Sequence, residues 1–374
     1  MSRLKELERF GQSVWIDFIR RELLTGGGLE KLVREDGVKG LTSNPAIFEK
    51  AIGSGAEYRA VLASLSRLGE TNPQRVYETI AIEDIRMAAD QMSPVFQATG
   101  GRDGFVSLEV SPKLAHDTAG TIAEAHRLWS AVDRPNLMIK VPATAAGIPA
   151  IERLIADGLN INVTLLFAVP MYARVVEAYL AGLEQRAAAG KPVAGVASVA
   201  SFFVSRIDTA IDAQLQARSD AARSDAERTR LLALRGKAAI ANAKLAYAHY
   251  KAVMAGQRWR DLARRGAQSQ RLLWASTSTK NPDYPDTLYV DELIGPDTVN
   301  TIPPATLDAF RDHGKPAPTL ERDLEGARST LAAIAQAGVS LDAVTAQLLD
   351  EGVKLFADAF DRLLDAVNRA RQAA

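Results

Sequence analysis

The chain of 374 residues contains no cysteine, which excludes disulfide bonds and thiol nucleophiles but does not identify a cellular compartment. Histidine is also scarce. Its four residues are scattered without the spacing of metal ligands: His116, His126, His249 and His313. We therefore expect no histidine-rich zinc site, and chemistry that depends on a bound metal is less favoured.

Neither sign of charge is in excess, because lysine plus arginine and aspartate plus glutamate each number 45. Without a dense basic run, nucleic acid is not an expected partner. Long apolar runs are missing as well, since no window approaches the roughly 18 consecutive apolar residues of a membrane-spanning helix. Residues 1–6 are charged and do not resemble a signal peptide. We expect a soluble, cytoplasmic chain without a membrane partner.

What the chain does contain is a regular alternation of β-prone segments and helical stretches, with 47% hydrophobic residues to form a large core. The predicted strands are residues 14–17, 40–43, 105–110, 137–141, 161–167, 196–203, 271–275 and 298–302. Eight such units favour a closed (β/α)8 TIM barrel over an open doubly wound sheet. The dinucleotide-binding fingerprint is absent, because the glycines at 26–28 follow a helical stretch and are predicted to form a turn.

We predict one barrel domain over residues 1–374, extended by three helical regions. The first, at about 45–101, begins with Asn44 as a helix cap and Pro45 in the first turn. The second covers about 208–270, and its charge-balanced centre at 217–226 is predicted to be exposed helix or loop. The third is an amphipathic helix at about 341–371, expected to pack across the barrel or against a neighbouring subunit. Its apolar face comprises Leu348, Leu349, Val353, Phe356, Phe360, Leu363 and Leu364.

Lys140 lies where a lysine is costly, inside the apolar, β-prone segment LMIKVP at 137–142. A strand of this kind is typically buried on both faces, so an ammonium group loses its hydration there and the neutral amine is favoured. The neutral amine is the form that attacks a carbonyl group to give a Schiff base. The segment alone leaves another interpretation open, a strand-end lysine that reaches solvent or pairs with a carboxylate.

Polar residues also stand near the ends of other apolar strands, where a barrel of this type gathers its active site. They are Asp17, Glu109, Asn162, Thr164, Ser201, Arg206 and Ser276. Asn162 and Thr164 are two residues apart and therefore share a strand face. Each residue alone also fits a helix cap, a salt bridge or a structural hydrogen bond. Their concentration around one buried lysine favours an active site.

Five segments together resemble the transaldolase family, and they occur in the family's order. They are GLTSNP at 40–45, SLEV at 107–110, LMIKVP at 137–142, NVTLLF at 162–167 and SFFVSR at 201–206. The resemblance covers about residues 11–310, and the long inserts look like those of the actinobacterial and cyanobacterial subgroup. It implies a (β/α)8 barrel without metal or organic cofactor that transfers a dihydroxyacetone unit through a lysine Schiff base. In the pentose phosphate pathway, sedoheptulose 7-phosphate and glyceraldehyde 3-phosphate would give erythrose 4-phosphate and fructose 6-phosphate.

The resemblance also implies roles at the matching positions. Lys140 would attack the ketone carbon, and Glu109 with Thr164 would hold a water that shuttles protons. Asp17 would take the proton from the C4 hydroxyl as the C3–C4 bond breaks. The hydroxyls of the donor sugar would be bound by Asn44, Asn162 and Ser201, and Phe203 would also belong to the substrate-binding site.

Arg206 and Ser276 match the family's phosphate site, for which a guanidinium fork is well suited. The chain departs from the family pattern nearby. Many relatives have an arginine two residues after the matching serine, where this chain has Ser278. The next cation is Lys280, which is either the second phosphate-binding charge or a solvated loop lysine.

Two other functions stay open. The first is a metal-free aldolase, resembling fructose 6-phosphate aldolase, that releases free dihydroxyacetone. Such members of the superfamily tend to carry glutamine where this chain has Glu109 and tyrosine where it has Phe203, so both positions resemble the transferring branch. The second is a non-catalytic barrel that binds sugar phosphates, which is disfavoured because Lys140, Glu109 and Asp17 are all present. We expect a monomer or a homodimer, and the sequence does not distinguish them.

Overall fold

Eight parallel strands form a closed barrel in the computed structural model, which describes residues 2–372. The strands are β1 (Gln12–Asp17), β2 (Val38–Thr42), β3 (Phe105–Glu109), β4 (Leu137–Pro142), β5 (Ile161–Leu166), β6 (Ser198–Phe203), β7 (Arg271–Ala275) and β8 (Thr298–Ile302). Strand β1 pairs with both β2 and β8, which closes the sheet. The predicted (β/α)8 barrel is confirmed.

Helices cover the outside of the barrel and fill the inserts. They are α1 (Arg3–Glu6), α2 (Arg21–Thr25), α3 (Gly28–Asp36), α4 (Pro45–Ser54), α5 (Arg59–Arg67), α6 (Pro73–Ala98), α7 (Thr118–Val132), α8 (Gly147–Asp157), α9 (Val169–Ala188), α10 (Ser205–Asp220), α11 (Asp225–Leu232), α12 (Ala238–Met254), α13 (Gln257–Ala263), α14 (Leu288–Asp291), α15 (Pro304–His313), α16 (Leu324–Gln336) and α17 (Leu341–Gln372). Short 3-10 helices lie at Leu7–Phe10, Ala56–Tyr58 and Pro112–Leu114. No single helix within residues 2–372 is long and apolar enough to span a membrane; only α16 and α17, taken together across an 89° bend, meet the criterion.

The strands are apolar because both of their faces are covered, by helices outside and by other strands inside. All six residues of β4 are buried, including Lys140. Close packing also explains a glycine in β2, since a Cβ atom at Gly40 would lie 2.4 Å from the ring of Trp15. Parallel strands end at the same side of the barrel, so the polar residues at their carboxyl ends are brought together.

The predicted helical regions have distinct positions in the fold. Helix α4 begins after Asn44, whose side chain accepts a hydrogen bond from the backbone N–H of Ile47 at 3.0 Å. Helices α4, α5 and α6 occupy the first region, and α10 to α13 occupy the second. The tract at 217–226 includes the end of α10 and the start of α11 and is largely exposed.

Helix α17 packs across the barrel, on α4, α6 and the region of β5. All seven apolar residues predicted for its inner face are buried or packed against the core. Phe356 is one of them, and it reaches the mouth of the barrel.

A buried ion pair lies at the opposite end, near the start of the strands. Arg271 Nη2 is 3.0 Å from Asp103 Oδ1, and both side chains are almost completely buried. Asp103 also accepts hydrogen bonds from Ser13 Oγ at 2.7 Å and Trp15 Nε1 at 3.0 Å. Because Arg271 Nη1 donates to Ser13 Oγ at 2.9 Å, the charges belong to one satisfied network.

Candidate active site

A cavity of about 150 Å³ opens at the carboxyl ends of the strands. Nine of the eleven predicted site residues line it: Asp17, Asn44, Lys140, Thr164, Ser201, Phe203, Arg206, Ser276 and Lys280. The other two, Glu109 and Asn162, contact residues that line it. Sequence reasoning did not assign to the site six further residues of the lining: Thr42, Ala275, Ser278, Thr301, Pro303 and Phe356.

Lys140 projects from β4 and is 5% exposed. Its Nζ donates a hydrogen bond to the backbone carbonyl of Ser43 at 3.0 Å. Glu109 Oε2 lies 3.6 Å from the same atom, so one element of the alternative interpretation, pairing with a carboxylate, is present. This pair does not extend to solvent, however, because both side chains are buried. The amine is therefore held at the cavity by a single hydrogen bond and an adjacent charge.

Glu109 lies beside Lys140 because the register of β3 and β4 pairs these two residues. Burial raises the pKa of Glu109, the neighbouring Lys140 opposes the rise, and Asp17 adds to it. Glu109 Oε2 and Thr164 Oγ1 are both buried and make no hydrogen bond within the described part of the chain. A carboxyl group with a raised pKa and an unpartnered hydroxyl group near one amine are suited to proton transfer.

Asp17 lies at the end of β1, where Thr42 Oγ1 donates a hydrogen bond to its Oδ1 at 2.7 Å. Thr42 Oγ1 is also 2.7 Å from Thr301 Oγ1, so the single proton of Thr42 serves Asp17 and Thr301 donates to Thr42. Burial raises the pKa of Asp17, while Lys140, Thr42 and Lys280 lower it. Both threonines carry the same signal as the predicted residues, a polar side chain at or next to the carboxyl end of a strand, here β2 and β8.

Polar contacts also fix the amide and hydroxyl groups of the lining. Asn44 uses Oδ1 for the helix cap, which leaves its amide N–H groups as donors. Ser201 Oγ donates to Asn162 Oδ1 at 2.6 Å, and Asn162 Nδ2 donates to Ser107 Oγ at 3.1 Å. Asn162 therefore supports Ser201, whose oxygen remains an acceptor toward the cavity.

Two cations mark one end of the cavity. Burial lowers the pKa of Arg206, which Glu351 opposes, and the guanidinium carbon lies 5.7 Å from the ring centre of Phe203. Burial and the charge of Arg206 lower the pKa of Lys280, whose Nζ is 2.7 Å from Ser278 Oγ. Neither cation forms a salt bridge to a carboxylate within residues 2–372. Two positive charges that lack a salt-bridge partner and line one cavity favour an anionic group.

The backbone near these cations is unusual. Ser276 has a φ of 56°, although it is not glycine. Its carbonyl accepts a hydrogen bond from the N–H of Ser205 at 3.1 Å, and the two hydroxyl oxygens are 3.0 Å apart. These contacts join the residue after β7 to the first residue of α10 and hold a conformation that costs energy at a non-glycine residue.

Helix α17 forms one wall of the cavity. The ring of Phe356 lies 6.0 Å from Lys140 Nζ. The helix approaches closely at Gly352, where a Cβ atom would be 3.0 Å from Leu165 Cδ2. Leu165 itself has a φ of 60°, and the pairing of β5 with β6 shifts there. No local pattern in the sequence connects Phe356 with Lys140, because the two are brought together only by the folding of α17 over the barrel.

Metal ligands do not gather at the cavity. Among residues 2–372 there is no group of three or more His, Cys, Asp or Glu side chains that is able to hold a metal ion.

Comparison with known proteins gives consistent matches over almost the whole chain. Residues 14–367 match the model of the family described as transaldolase/fructose-6-phosphate aldolase. A transaldolase of Thiobacillus denitrificans is 50% identical over 364 residues, which cover 97% of this chain and 99% of that protein. Transaldolase 1 of Streptomyces avermitilis is 50% identical over 368 residues, covering 98% and 95% respectively. Transaldolase 2 of a Nostoc species is 45% identical over 370 residues, covering 98% and 97%.

Proposed function

The chain belongs to the transaldolase/fructose-6-phosphate aldolase family, and on this premise we propose how its cavity carries out the reaction. The resemblance predicted from the five segments is confirmed, and the chain is an enzyme with transaldolase function. We propose sedoheptulose 7-phosphate as donor and glyceraldehyde 3-phosphate as acceptor, with erythrose 4-phosphate and fructose 6-phosphate as products. The two free cations, Arg206 and Lys280, support phosphorylated substrates.

The observation that carries the proposal is the setting of Lys140, a buried amine directed at a cavity between two carboxyl groups. Lys140 Nζ attacks the ketone carbon, so that a C–N bond forms and the carbonyl oxygen takes up a proton. Loss of that oxygen as water gives the Schiff base. Glu109 and Thr164 hold the water that carries these protons, since each offers an unpartnered oxygen near the amine.

Asp17 is the base for carbon–carbon cleavage. It removes the proton of the C4 hydroxyl, the C3–C4 bond breaks, and its electron pair moves through the Schiff base to the nitrogen. The product aldehyde leaves, and the three-carbon unit stays on Lys140 as an enamine. An acceptor aldehyde then reacts by the same steps in reverse. The hydrogen bond from Thr42 keeps Asp17 in place for both directions.

Substrate hydroxyls and phosphate are held by the remaining residues. Asn44 donates from its amide, Ser201 accepts, and Asn162 orients Ser201. Arg206 makes bidentate contacts to the phosphoryl oxygens, assisted by Ser276 and Lys280. This arrangement places the sugar carbons between the phosphate site and Lys140.

Transfer is favoured over release by the aromatic side chains of the cavity. Phe203 and Phe356 carry no hydroxyl group, so neither is able to protonate the enamine as a phenol would. The enamine therefore persists until an acceptor arrives. We also propose that the chain acts as one domain in the cytoplasm, as a monomer or a homodimer, without a nucleic-acid partner; its zero net charge supports the last point.

Borohydride trapping tests the proposal directly. Reduction in the presence of fructose 6-phosphate is expected to add a three-carbon unit to the peptide that contains Lys140. Lys244 offers a matched control, because it is also a buried lysine and its Nζ hydrogen-bonds to the carbonyl of Arg322 away from the cavity. Label on Lys244 or any other lysine contradicts the assignment. Rapid, repeated release of dihydroxyacetone without acceptor contradicts the preference for transfer.

A further inference from the structure

Two buried aspartates in the insert after Arg206 bond to two tyrosines in the chain after β7, and the reaction steps use none of the four. Asp208 and Asp212 are four residues apart on α10 and therefore lie on the same helix face. Both are buried, as is Tyr289, while Tyr284 is half-buried.

Each aspartate joins three segments of the chain. Tyr284 donates to Asp212 Oδ2 at 2.6 Å, and the N–H of Gly236 donates to Asp212 Oδ1 at 2.9 Å. Tyr289 donates to Asp208 Oδ2 at 2.9 Å, and the N–H of Ala239 donates to Asp208 Oδ1 at 2.8 Å. The two carboxyl groups thus link α10 with the turn before α12, the first turn of α12, and the chain that follows β7.

The chain after β7 carries half of the proposed phosphate site. Residues 276–287, which we call the phosphate loop, include Ser276, Ser278 and Lys280 and end just before α14. Tyr284 belongs to this loop, and Tyr289 lies in α14 directly after it. The other half of the site, Arg206, is in the first turn of α10, the helix that holds both aspartates.

The ring of Tyr284 is also held by packing. Gly236 has a φ of 70°, and a Cβ atom there would lie 2.8 Å from Tyr284 Cζ. The turn between α11 and α12 therefore gives the ring a close backbone surface as well as a hydrogen-bond partner. This use of the insert accounts for a segment whose role the sequence did not reveal.

Positioning is needed here because Arg206 and Lys280 repel each other. Burial and the positive charge of Arg206 lower the pKa of Lys280, Asp17 opposes this lowering, and no salt bridge to a carboxylate in the described chain holds Lys280 in place. A loop carrying Lys280 moves away from Arg206 unless other contacts hold it. Burial raises the pKa of Asp208 to about 7, with Asp212 adding to the rise and the N–H of Ala239 opposing it.

We propose that Tyr284 and Tyr289, anchored by Asp212 and Asp208, are positioning residues that hold Lys280 of the phosphate loop at a fixed distance from Arg206. The proposal rests on the phosphate-binding role of these two cations. A purely structural role for the tyrosines affects every substrate equally, whereas positioning of Lys280 affects only phosphorylated ones.

The test compares erythrose 4-phosphate with unphosphorylated erythrose as acceptors, at saturating fructose 6-phosphate. Tyr284→Phe removes one hydroxyl and keeps the ring on Gly236. The KM for erythrose 4-phosphate is expected to rise about tenfold, because a hydrogen bond to a charged group is lost. We expect kcat to stay within about twofold, and kcat/KM for erythrose to stay unchanged on the same scale. Equal losses with both acceptors, or no loss with either, overturn the proposal.

Tyr250→Phe is the matched control, because Tyr250 is a buried tyrosine of the insert after Arg206 and its hydroxyl donates to Ser269 Oγ at 3.1 Å, outside the phosphate loop. This variant should leave kcat/KM unchanged for both acceptors. A rise in KM for erythrose 4-phosphate alone, equal to that of Tyr284→Phe, overturns the proposal. Tyr289→Phe is expected to act in the same direction as Tyr284→Phe and provides a second variant if the first does not fold.

A double variant tests whether the effect passes through Lys280. In a Lys280→Ala background, Tyr284→Phe should change the KM for erythrose 4-phosphate by less than about twofold, because the group that it positions is gone. A full tenfold rise in KM in that background overturns the proposal.

The wild-type enzyme separates failure of the phosphate site from failure of the positioning role. If the wild type has equal kcat/KM for erythrose and erythrose 4-phosphate, the phosphate site itself is wrong. If the wild type prefers erythrose 4-phosphate and Tyr284→Phe keeps the same preference, only the positioning role is wrong.

Discussion

The barrel contains a buried ion pair at each end, and the two pairs differ in how far their hydrogen bonds are satisfied. At the starts of the strands, Arg271 and Asp103 are 3.0 Å apart, and Ser13 and Trp15 donate to the carboxylate. At the carboxyl ends, Lys140 and Glu109 are 3.6 Å apart, and Glu109 Oε2 makes no hydrogen bond within the described residues. The first pair has its charges matched by neighbours, whereas the second keeps atoms free for a reactant.

This difference separates two uses of buried charge. A buried pair with complete hydrogen bonding resists rearrangement, and removal of one partner leaves an uncompensated charge. A buried pair with unsatisfied hydrogen-bonding atoms contributes less to the stability of the fold than a fully bonded one. Its free atoms are available to bind and move protons. Substitutions at the two ends should therefore affect different measured quantities.

The largest expected effect is at Lys140. Lys140→Met keeps the length of the side chain but removes the nucleophile, so transfer between sugar phosphates should be abolished. Thermal unfolding should stay close to that of the wild type, because the raised pKa of Glu109 allows this carboxyl group to take up a proton when the ammonium is absent. Coupled assays and unfolding curves measure the two quantities. Any remaining adduct after borohydride reduction with fructose 6-phosphate contradicts the prediction.

Asp17→Asn comes second. The amide keeps the shape of the side chain but takes no proton, and kcat should fall by about 10²- to 10⁴-fold. The Schiff base itself should still form, so that borohydride still labels Lys140 in this variant. Steady-state kinetics with trapping distinguishes the two steps. If trapping is lost together with kcat, Asp17 acts before cleavage and the assignment is wrong.

Asp103→Asn tests the opposite end. It leaves the charge of Arg271 buried without a partner, and the free energy of unfolding should fall by about 3 to 5 kcal/mol. Activity for each folded molecule should remain within about twofold, because the site is at the other end of the barrel. Asp297→Asn is the control, since Asp297 pairs with Arg102 at the exposed surface and its loss should cost below about 1 kcal/mol. If folded Asp103→Asn loses much more than twofold in kcat, the prediction that this end of the barrel affects stability and not activity is wrong.

Glu109→Gln tests the pair at the carboxyl ends of the strands through the dependence of stability on pH. Burial raises the pKa of Glu109 above its ordinary value of 4.5, so the folded state binds this proton more tightly than the unfolded state. The contribution of Glu109 to stability therefore falls as pH rises from about 4.5 to the raised pKa, and is constant above it. Glu109→Gln carries no such proton, so its stability relative to the wild type should increase over that interval. Chemical denaturation at several pH values measures this, and a difference that is independent of pH contradicts it.

The smallest effect is expected for Thr42→Val. It removes the hydrogen bond that lowers the pKa of Asp17, so the pKa of this carboxyl group should rise further. The acid limb of the profile of kcat/KM against pH should move to higher pH, because Asp17 must be ionised to act as a base. Thr345→Val is a matched control, since Thr345 is buried in α17 and its hydroxyl donates to the carbonyl of Asp342. An acid limb that stays in place shows that Thr42 does not tune Asp17.

Local patterns in the sequence predict the strands well. The bounds predicted for β7 and β8 agree with the structure, and both are short segments between helical stretches, of a length typical of strands. Polar residues at strand ends also led to most of the cavity lining. Contacts that depend on register were not predictable. The 3.6 Å approach of Glu109 to Lys140 follows from the pairing of β3 with β4, and the contact of Asp103 with Arg271 joins residues far apart in the chain.

Helix α17 has a consequence for how such an enzyme diverges. Its Phe356 ring lies 6.0 Å from the amine of Lys140, the proposed nucleophile, yet the barrel closes its sheet between β1 and β8 without any residue of this helix. Catalysis and protection of the intermediate are thus encoded in separate stretches of the gene. Mutations in the codons for α17 can change how long the enamine survives while the cleavage chemistry is inherited intact. On the proposed mechanism, a duplicated copy that changes this helix keeps Lys140, Glu109 and Asp17 and alters one of the two aromatic side chains, Phe356, that favour transfer over release.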